Sequence, residues 1–178
     1  MPTRPELLAA AGRTIPDLVR PGLDVLLVGI NPGLWSGLTG RHFGNPGNRL
    51  WPVLHGAGFT PRRIGPADAE ELLALGIGIT NLVARTTATA AELADEEVRA
   101  GALALEAKVA TLRPRVVAFL GLTTYRIATG EKGAVVGEQP GRLAGARVWL
   151  LPNTSGLNAH YQIPDLIALF AAMRSALG

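Results

Sequence analysis

The residues whose types and spacing can do chemistry are concentrated in one stretch, Leu26–Trp51, LLVGINPGLWSGLTGRHFGNPGNRLW. An apolar run, Val25–Ile30, breaks at Gly29-Ile30-Asn31-Pro32-Gly33 into a loop with a glycine every few residues, expected to run to Pro46. A loop of this kind at the carboxyl end of a buried strand is where open α/β sheets place their ligands. Asn31 precedes a proline, which pushes it out of the helical region into extended backbone, so the main chain aims its amide. Such an amide can hold a water or a carbonyl but cannot remove a proton at ordinary pH. Gly33 and Gly37 let the main chain approach a ligand, and Phe43 offers a flat apolar face. Taken alone, Phe43 reads as a core aromatic and Ser36 as a turn residue. There is no G-x-G-x-x-G, and no Lys-Ser/Thr pair closes the run as a P-loop requires, so a nucleotide cofactor is the weaker reading.

The elements that must position this stretch follow from apolar patterning. Strands are expected at Val25–Ile30, Ile77–Val83, Val116–Leu120 and Val148–Leu151. Between them lie a helix capped by Asn48 and ending near Gly56, a helix from Pro66 through Leu75, and a long helix Glu96–Leu112 with Asp95 as N-cap and Val98, Ala102, Leu105 and Val109 on one face. A short helix carries Tyr125 and Ile127. Gly130–Gly145 reads as an irregular loop or hairpin, and Pro164 begins a terminal helix with Leu166, Leu169, Phe170 and Met173 on its apolar face. Alternating strands and helices predict an α/β fold, a three-layer α/β/α sandwich around a mainly parallel four- to five-stranded sheet. The 178 residues fit a single domain. Residues 1–20 form a lead-in with one helical candidate, Glu6–Gly12, and are expected to be loosely held.

Composition narrows the chemistry. Apolar residues make up 48% and charged residues 17%, which argues against disorder. The apolar runs are too short to span a bilayer, and no signal-peptide pattern opens the chain, so a protein of the cytoplasm is expected. Zero cysteines remove disulfides, thiol chemistry and thiolate-held zinc or iron-sulfur clusters. The three histidines, at 42, 55 and 160, are scattered, so no metal is expected, although His42 or His160 could serve a pocket. The net charge of +3 and a pI of 9.9 are compatible with a nucleic-acid partner, and equally with the Arg-rich usage of a GC-rich genome.

Gly29-Ile30-Asn31-Pro32-Gly33-Leu34, followed by Phe43, Asn45-Pro46, Asn48-Arg49 and Trp51, resembles the first motif of the mismatch-specific uracil-DNA glycosylases, relatives of thymine-DNA glycosylase. Leu151-Pro152-Asn153-Thr154-Ser155-Gly156-Leu157-Asn158 resembles their second, and the likeness runs from about Pro21 to Leu177. It implies a monofunctional hydrolase of base excision repair that flips a uracil out of a G mispair and cleaves its glycosidic bond; thymine and ethenocytosine remain open as further substrates. Its implied partner is double-stranded DNA carrying G·U or related mispairs, met as a monomer at the nucleoid, with no cofactor. Asn31 would hold the attacking water, with Ile30, Gly33, Ser36 and Phe43 around the base. Asn153, Ser155, Gly156, Leu157 and Asn158 would face the DNA, Gly156 and Asn158 through main-chain groups toward the orphaned guanine and Leu157 by filling the hole left by the flipped base, while Arg49 would bond phosphate or local backbone.

This chain departs from the family pattern at three positions. Trp35 replaces a small residue, Thr154 a proline, and Ala159 an arginine, for which His160 or Tyr161 could compensate. Neither motif holds a lysine that could form a Schiff base and cut the strand. If a carboxylate assists Asn31, the acidic cluster Glu92–Glu97 is the available source and Asp95 the choice within it; the plainer reading of Asp95 is the helix cap. A non-catalytic nucleotide- or nucleic-acid-binding α/β module is the rival from another functional class.

Overall fold

The computed structural model describes all 178 residues. Five strands make one sheet: β1 Val25–Gly29, β2 Ile77–Asn81, β3 Val116–Leu120, β4 Gly137–Leu143 and β5 Ala146–Leu151. Their order is β2-β1-β3-β5-β4, parallel throughout except that β4 pairs antiparallel with β5. The expected mainly parallel sheet is therefore present, and the Gly130–Gly145 stretch supplies its edge strand. Pro140 and several charged or glycine positions suit β4 to an exposed edge, where a lost donor and a polar face cost little.

Side chains alternate across the central strands, so each strand feeds two cores. Val25, Leu27, Ile77, Ile79, Val116, Ala118, Trp149 and Leu151 face one way. They meet Leu50, Trp51, Val53 and Leu54 of α3 (Leu50–Gly56) and Leu166, Phe170 and Met173 of a terminal helix, Ile163–Ser175. Leu26, Val28, Val117, Phe119, Val148 and Leu150 face the other way, against Val98, Leu105 and Val109 of α5 (Asp95–Leu112) and Tyr125 of α6 (Leu122–Thr129). Apolar residues at every position of β1 and β3 are what a strand covered on both faces needs.

Several boundaries differ from the sequence reading for local reasons. β1 stops at Gly29, one residue before Ile30, and β2 stops at Asn81, two before Val83. The motif loop is interrupted by α2, Leu34–Thr39, closed by Gly40 in the left-handed region (φ 69°). Pro66–Leu75 divides into a 3₁₀ turn, Pro66–Asp68, and α4, Glu71–Ala74. Ala94, not Asp95, is the N-cap of α5; Glu97 reaches back to the Ala94 N–H at 3.0 Å, so the third helical residue satisfies the end. The first helix, α1, spans Arg4–Leu8, opened by a Thr3–Glu6 capping box, rather than Glu6–Gly12. The terminal helix, α7, begins at Ile163.

The second half of the lead-in is bonded to the body of the protein. Leu18 exchanges main-chain bonds with Ile79 at 2.9 and 2.8 Å, and the Thr86 N–H reaches Arg13 O at 2.8 Å. Asp17 pairs with Lys108 of α5, and both reach the buried Thr80 hydroxyl. Residues 13–18 thus run as a strap along β2 and the loop that follows it.

Gly101 lets α5 lie close to the end of β2: a Cβ there would sit 2.1 Å from the Leu82 carbonyl oxygen. Alanine normally stabilises a helix interior by about 1 kcal/mol relative to glycine. Here the obstacle is main chain, so Gly101→Ala is expected to destabilise the protein by roughly 1–3 kcal/mol, as overpacked cores do. Urea unfolding of the variant checks the sign; a gain in stability would show that the helix is free to move away.

Candidate active site

The carboxyl ends of β1 and β2 are neighbours, with Gly29 opposite Asn81 in the parallel register. A cleft of about 220 Å³ opens over them, lined by both motifs, among them Ile30, Asn31, Phe43, Asn153, Ser155 and Leu157. Gly33 and Ser36 line it as well. The two stretches singled out in the sequence, about 120 residues apart by their numbers, therefore share one concave surface.

Asn31 is held by its amide nitrogen. Nδ2 donates to Thr87 Oγ1 at 2.7 Å, to Arg85 O at 3.0 Å and more weakly to Pro32 O at 3.2 Å. Carbonyls only accept, so the nitrogen must face them and Oδ1 is left without a protein partner, turned to the cleft as an acceptor. Thr87 is held in turn: its hydroxyl accepts from Asn31 and donates to Thr89 O at 2.8 Å. Arg85 is anchored in turn by Glu97, at 2.7 and 2.8 Å, and by Glu92 O at 3.1 Å. This pairing, helped by the Ala94 N–H, holds the Glu97 carboxyl down at about 2. The loop after β2 thereby fixes the rotamer and amide orientation of Asn31, which its proline neighbour alone does not.

Phe43 has φ 48°, a conformation strained for an aromatic residue. Two bonds hold the turn: Gly44 N–H donates to Ser36 Oγ at 3.1 Å, and Trp51 Nε1 donates to Phe43 O at 3.2 Å. Ser36, nearly fully buried, therefore acts on the cleft by aiming Phe43. The main-chain N–H of Phe43 has no partner within the chain. A Cβ on Gly29 would lie 2.5 Å from Asn81 Oδ1 and 3.4 Å from Phe43 Cζ, so this glycine is what lets amide and ring meet over the end of β1.

Asn81 was not singled out from the sequence. Its side chain makes no hydrogen bond in the chain and lines the cleft beside Phe43, offering a free donor and acceptor at the floor. The available signal was a polar residue ending an apolar strand next to β1. Thr87 was also missed, because its role depends on a loop crossing to Asn31. His42 lines the cleft, and its Nε2 donates to Pro16 O at 2.8 Å; burial lowers its pKa and favours the neutral ring.

The second loop is organised from within. Asn153 Oδ1 accepts from Ser155 N–H at 2.8 Å, Ser155 Oγ from Leu157 N–H at 3.2 Å, and Asn158 Nδ2 donates to Asn153 O at 2.9 Å. Each of Asn153, Ser155 and Asn158 thus gives one side-chain bond to the shape of the turn. What the turn displays is Leu157, 94% exposed, next to exposed Gly156. Arg49, expected on phosphate or local backbone, points at main-chain carbonyls of this loop. Thr154 is buried, and its hydroxyl donates to Asn48 Oδ1 at 3.0 Å, which accounts for a polar residue at that departure. Tyr161 packs on the core below, whereas His160 is exposed.

Asp95 does not belong to the site. It is exposed, faces Arg99 at 3.5 Å one turn along α5, and does not line the cleft. No aspartate or glutamate lines the cleft at all, so Asn31 has no carboxylate beside it to accept a proton.

Two comparisons bear on this arrangement. A family model described as the uracil DNA glycosylase superfamily matches residues 16–175. Among solved structures the chain is similar to the solution NMR structure of a candidate uracil DNA glycosylase from Methanosarcina acetivorans, at 19% identity and a TM-score of 0.62, over 92% of this chain and 98% of that one. At that identity the second likeness is one of fold.

If Asn31 works through a fixed dipole, Asn31→Ala is expected to slow base release by roughly a hundred- to a thousandfold, about 2.7–4 kcal/mol of barrier. Asp95→Asn is expected to leave the single-turnover rate unchanged. A severe loss in the aspartate variant, with Asn31→Ala nearly silent, would reverse the assignment. The Arg85–Glu97 pair has a pH signature of its own. A carboxyl lowered to about 2 contributes stability that is complete above its unfolded value of about 4.3 and is lost as pH falls through the folded value. Thermal melts of Glu97→Gln should therefore fall less steeply than wild type between about pH 4.5 and 2.

Proposed function

The chain belongs to the uracil DNA glycosylase superfamily and is a DNA glycosylase, and from the site it builds we propose that it excises uracil from G·U mispairs without cutting the strand. The observation that carries this reading is a cleft combining an unpaired Asn31 oxygen, the Phe43 face, a free Asn81 amide and the exposed Leu157 at its rim. Each answers one requirement of the chemistry.

The glycosidic bond is out of reach inside a duplex, so the nucleotide must be extruded, at an unstacking cost of a few kcal/mol. Leu157, an apolar side chain on a rigid turn, is suited to occupy the gap. In the cleft the base stacks on Phe43. The carbonyl and N–H edge of uracil pairs with the amide nitrogen and oxygen of Asn81, while the free Phe43 N–H offers a further donor. As the bond breaks, the sugar becomes cationic and the departing base anionic. N–H donors at the base stabilise that anion, and Oδ1 of Asn31 holds water on the sugar side and faces the positive charge. The water loses its proton only once the sugar cation has made it acidic, so no general base is required. Neither motif holds a lysine, which supports simple hydrolysis over strand cleavage.

Incubation with a short duplex carrying one G·U pair is expected to yield free uracil and an alkali-labile abasic site, with the strand intact before alkali. Leu157→Ala should slow this at least tenfold on the duplex, and less on single-stranded uracil, where no stack has to be opened. A mobility shift with no base released would leave only a binding module. Equal losses on both substrates would remove the wedge role.

A further inference from the structure

We propose that Arg49 is the positioning residue of the Leu157 turn, joining the base cleft and the wedge into one rigid unit, and not a contact to DNA phosphate. The inference rests on the wedge reading of Leu157 given above. Arg49 precedes α3, and its guanidinium lies under the second loop. Nη1 donates to Tyr161 O at 2.7 Å, while Nη2 donates to Asn158 O at 2.9 Å and to Ser155 O. Its main-chain N–H adds Thr154 O at 2.9 Å. Four carbonyls of the segment 154–161 thus converge on one residue of the first motif.

The donor count excludes the alternative. A guanidinium has five N–H bonds, and bidentate phosphate recognition needs two of them side by side. Both hydrogens of Nη2 and one of Nη1 are used on carbonyls, and Nε is buried with no partner. Two N–H remain, one on the buried Nε and one on Nη1, and with Nη2 fully used between them they cannot form the side-by-side bonds that make arginine a bidentate phosphate ligand. Neighbouring contacts fasten the same joint. Asn48 Oδ1 accepts from both Leu50 N–H and the Thr154 hydroxyl. Gly156 sits so close to Gly47 O that a Cβ would come within 2.6 Å. The wedge is therefore built on residues 47–49 of the first motif, beside the base cleft, and its position is set by a planar cation with three directed bonds. Lysine, with a single ammonium, cannot reproduce that fork.

The test measures single-turnover uracil release and duplex binding against salt for Arg49→Ala, Arg49→Lys, Leu157→Ala and the Arg49→Ala/Leu157→Ala double variant, all below their melting temperatures. Both Arg49 variants are expected to lose at least tenfold on the G·U duplex. The slope of log K against log salt should stay within about 0.3 of wild type, because no phosphate contact has been removed. Leu157→Ala should cost less than twofold once Arg49 is gone, since the wedge is already misplaced. If Arg49→Ala does not fold, Arg49→Lys and its Leu157→Ala double carry the same measurements. A slope reduced by about one would identify a phosphate contact. Losses that multiply would mean that Arg49 and Leu157 act in separate steps, and undiminished activity would mean that the joint is idle; each of these overturns the proposal. A silent Leu157→Ala in the wild-type background would instead sink the wedge reading, and this inference with it.

Discussion

The proposed mechanism depends on one constraint: the amide nitrogen of Asn31 must be occupied so that its oxygen is not. An asparagine with both ends free presents either atom, and a water that needs an acceptor finds one only part of the time. Here Arg85 O and Thr87 Oγ1 take the nitrogen, and both come from the loop after β2. That loop is placed by the pairing of β2 with β1, by the strap of residues 13–18 and by the Arg85–Glu97 link to α5. Much of the fold converges on the orientation of a single amide.

The main elements were legible in the sequence because their signal is local. Apolar residues at consecutive positions of β1 and β3 announce strands covered on both sides, and the spacing of Val98, Leu105 and Val109 announces a helix face. The edge strand β4 left no such signal, since its exposed, antiparallel place asks for little apolar patterning. The helix Pro66–Leu75 divided at a turn that its composition does not mark.

Site residues divide along the same line. Asn31, Phe43 and Leu157 could be named because their motifs carry them. Asn81 and Thr87 could not, since their meaning lies in register: Asn81 matters because Gly29 is opposite and has no side chain. Asp95 misled for the converse reason. A carboxylate at a helix start looks fixed and available, yet the start of α5 lies away from the cleft and its cap bond is made by Glu97. Arg49 and the polar residues of the second loop have types suited to DNA, and only the fold reveals that each also bonds the loop's own main chain.

A cleft without a carboxylate suits a reaction in which charge separates before water attacks. A carboxylate close to the sugar would also face the anionic base, and in a low-dielectric site the repulsion would oppose the departure it was meant to assist. Neutral dipoles avoid that conflict, provided they are fixed in advance and need no reorientation as charge develops. The strain at Phe43 is consistent with this economy. Bonds from Ser36 and Trp51 hold Phe43 at φ 48°, with its ring near the end of β1 and its own N–H unpaired. In the proposed mechanism that local cost, of order 1–3 kcal/mol, keeps a stacking face and a hydrogen-bond donor together on one residue.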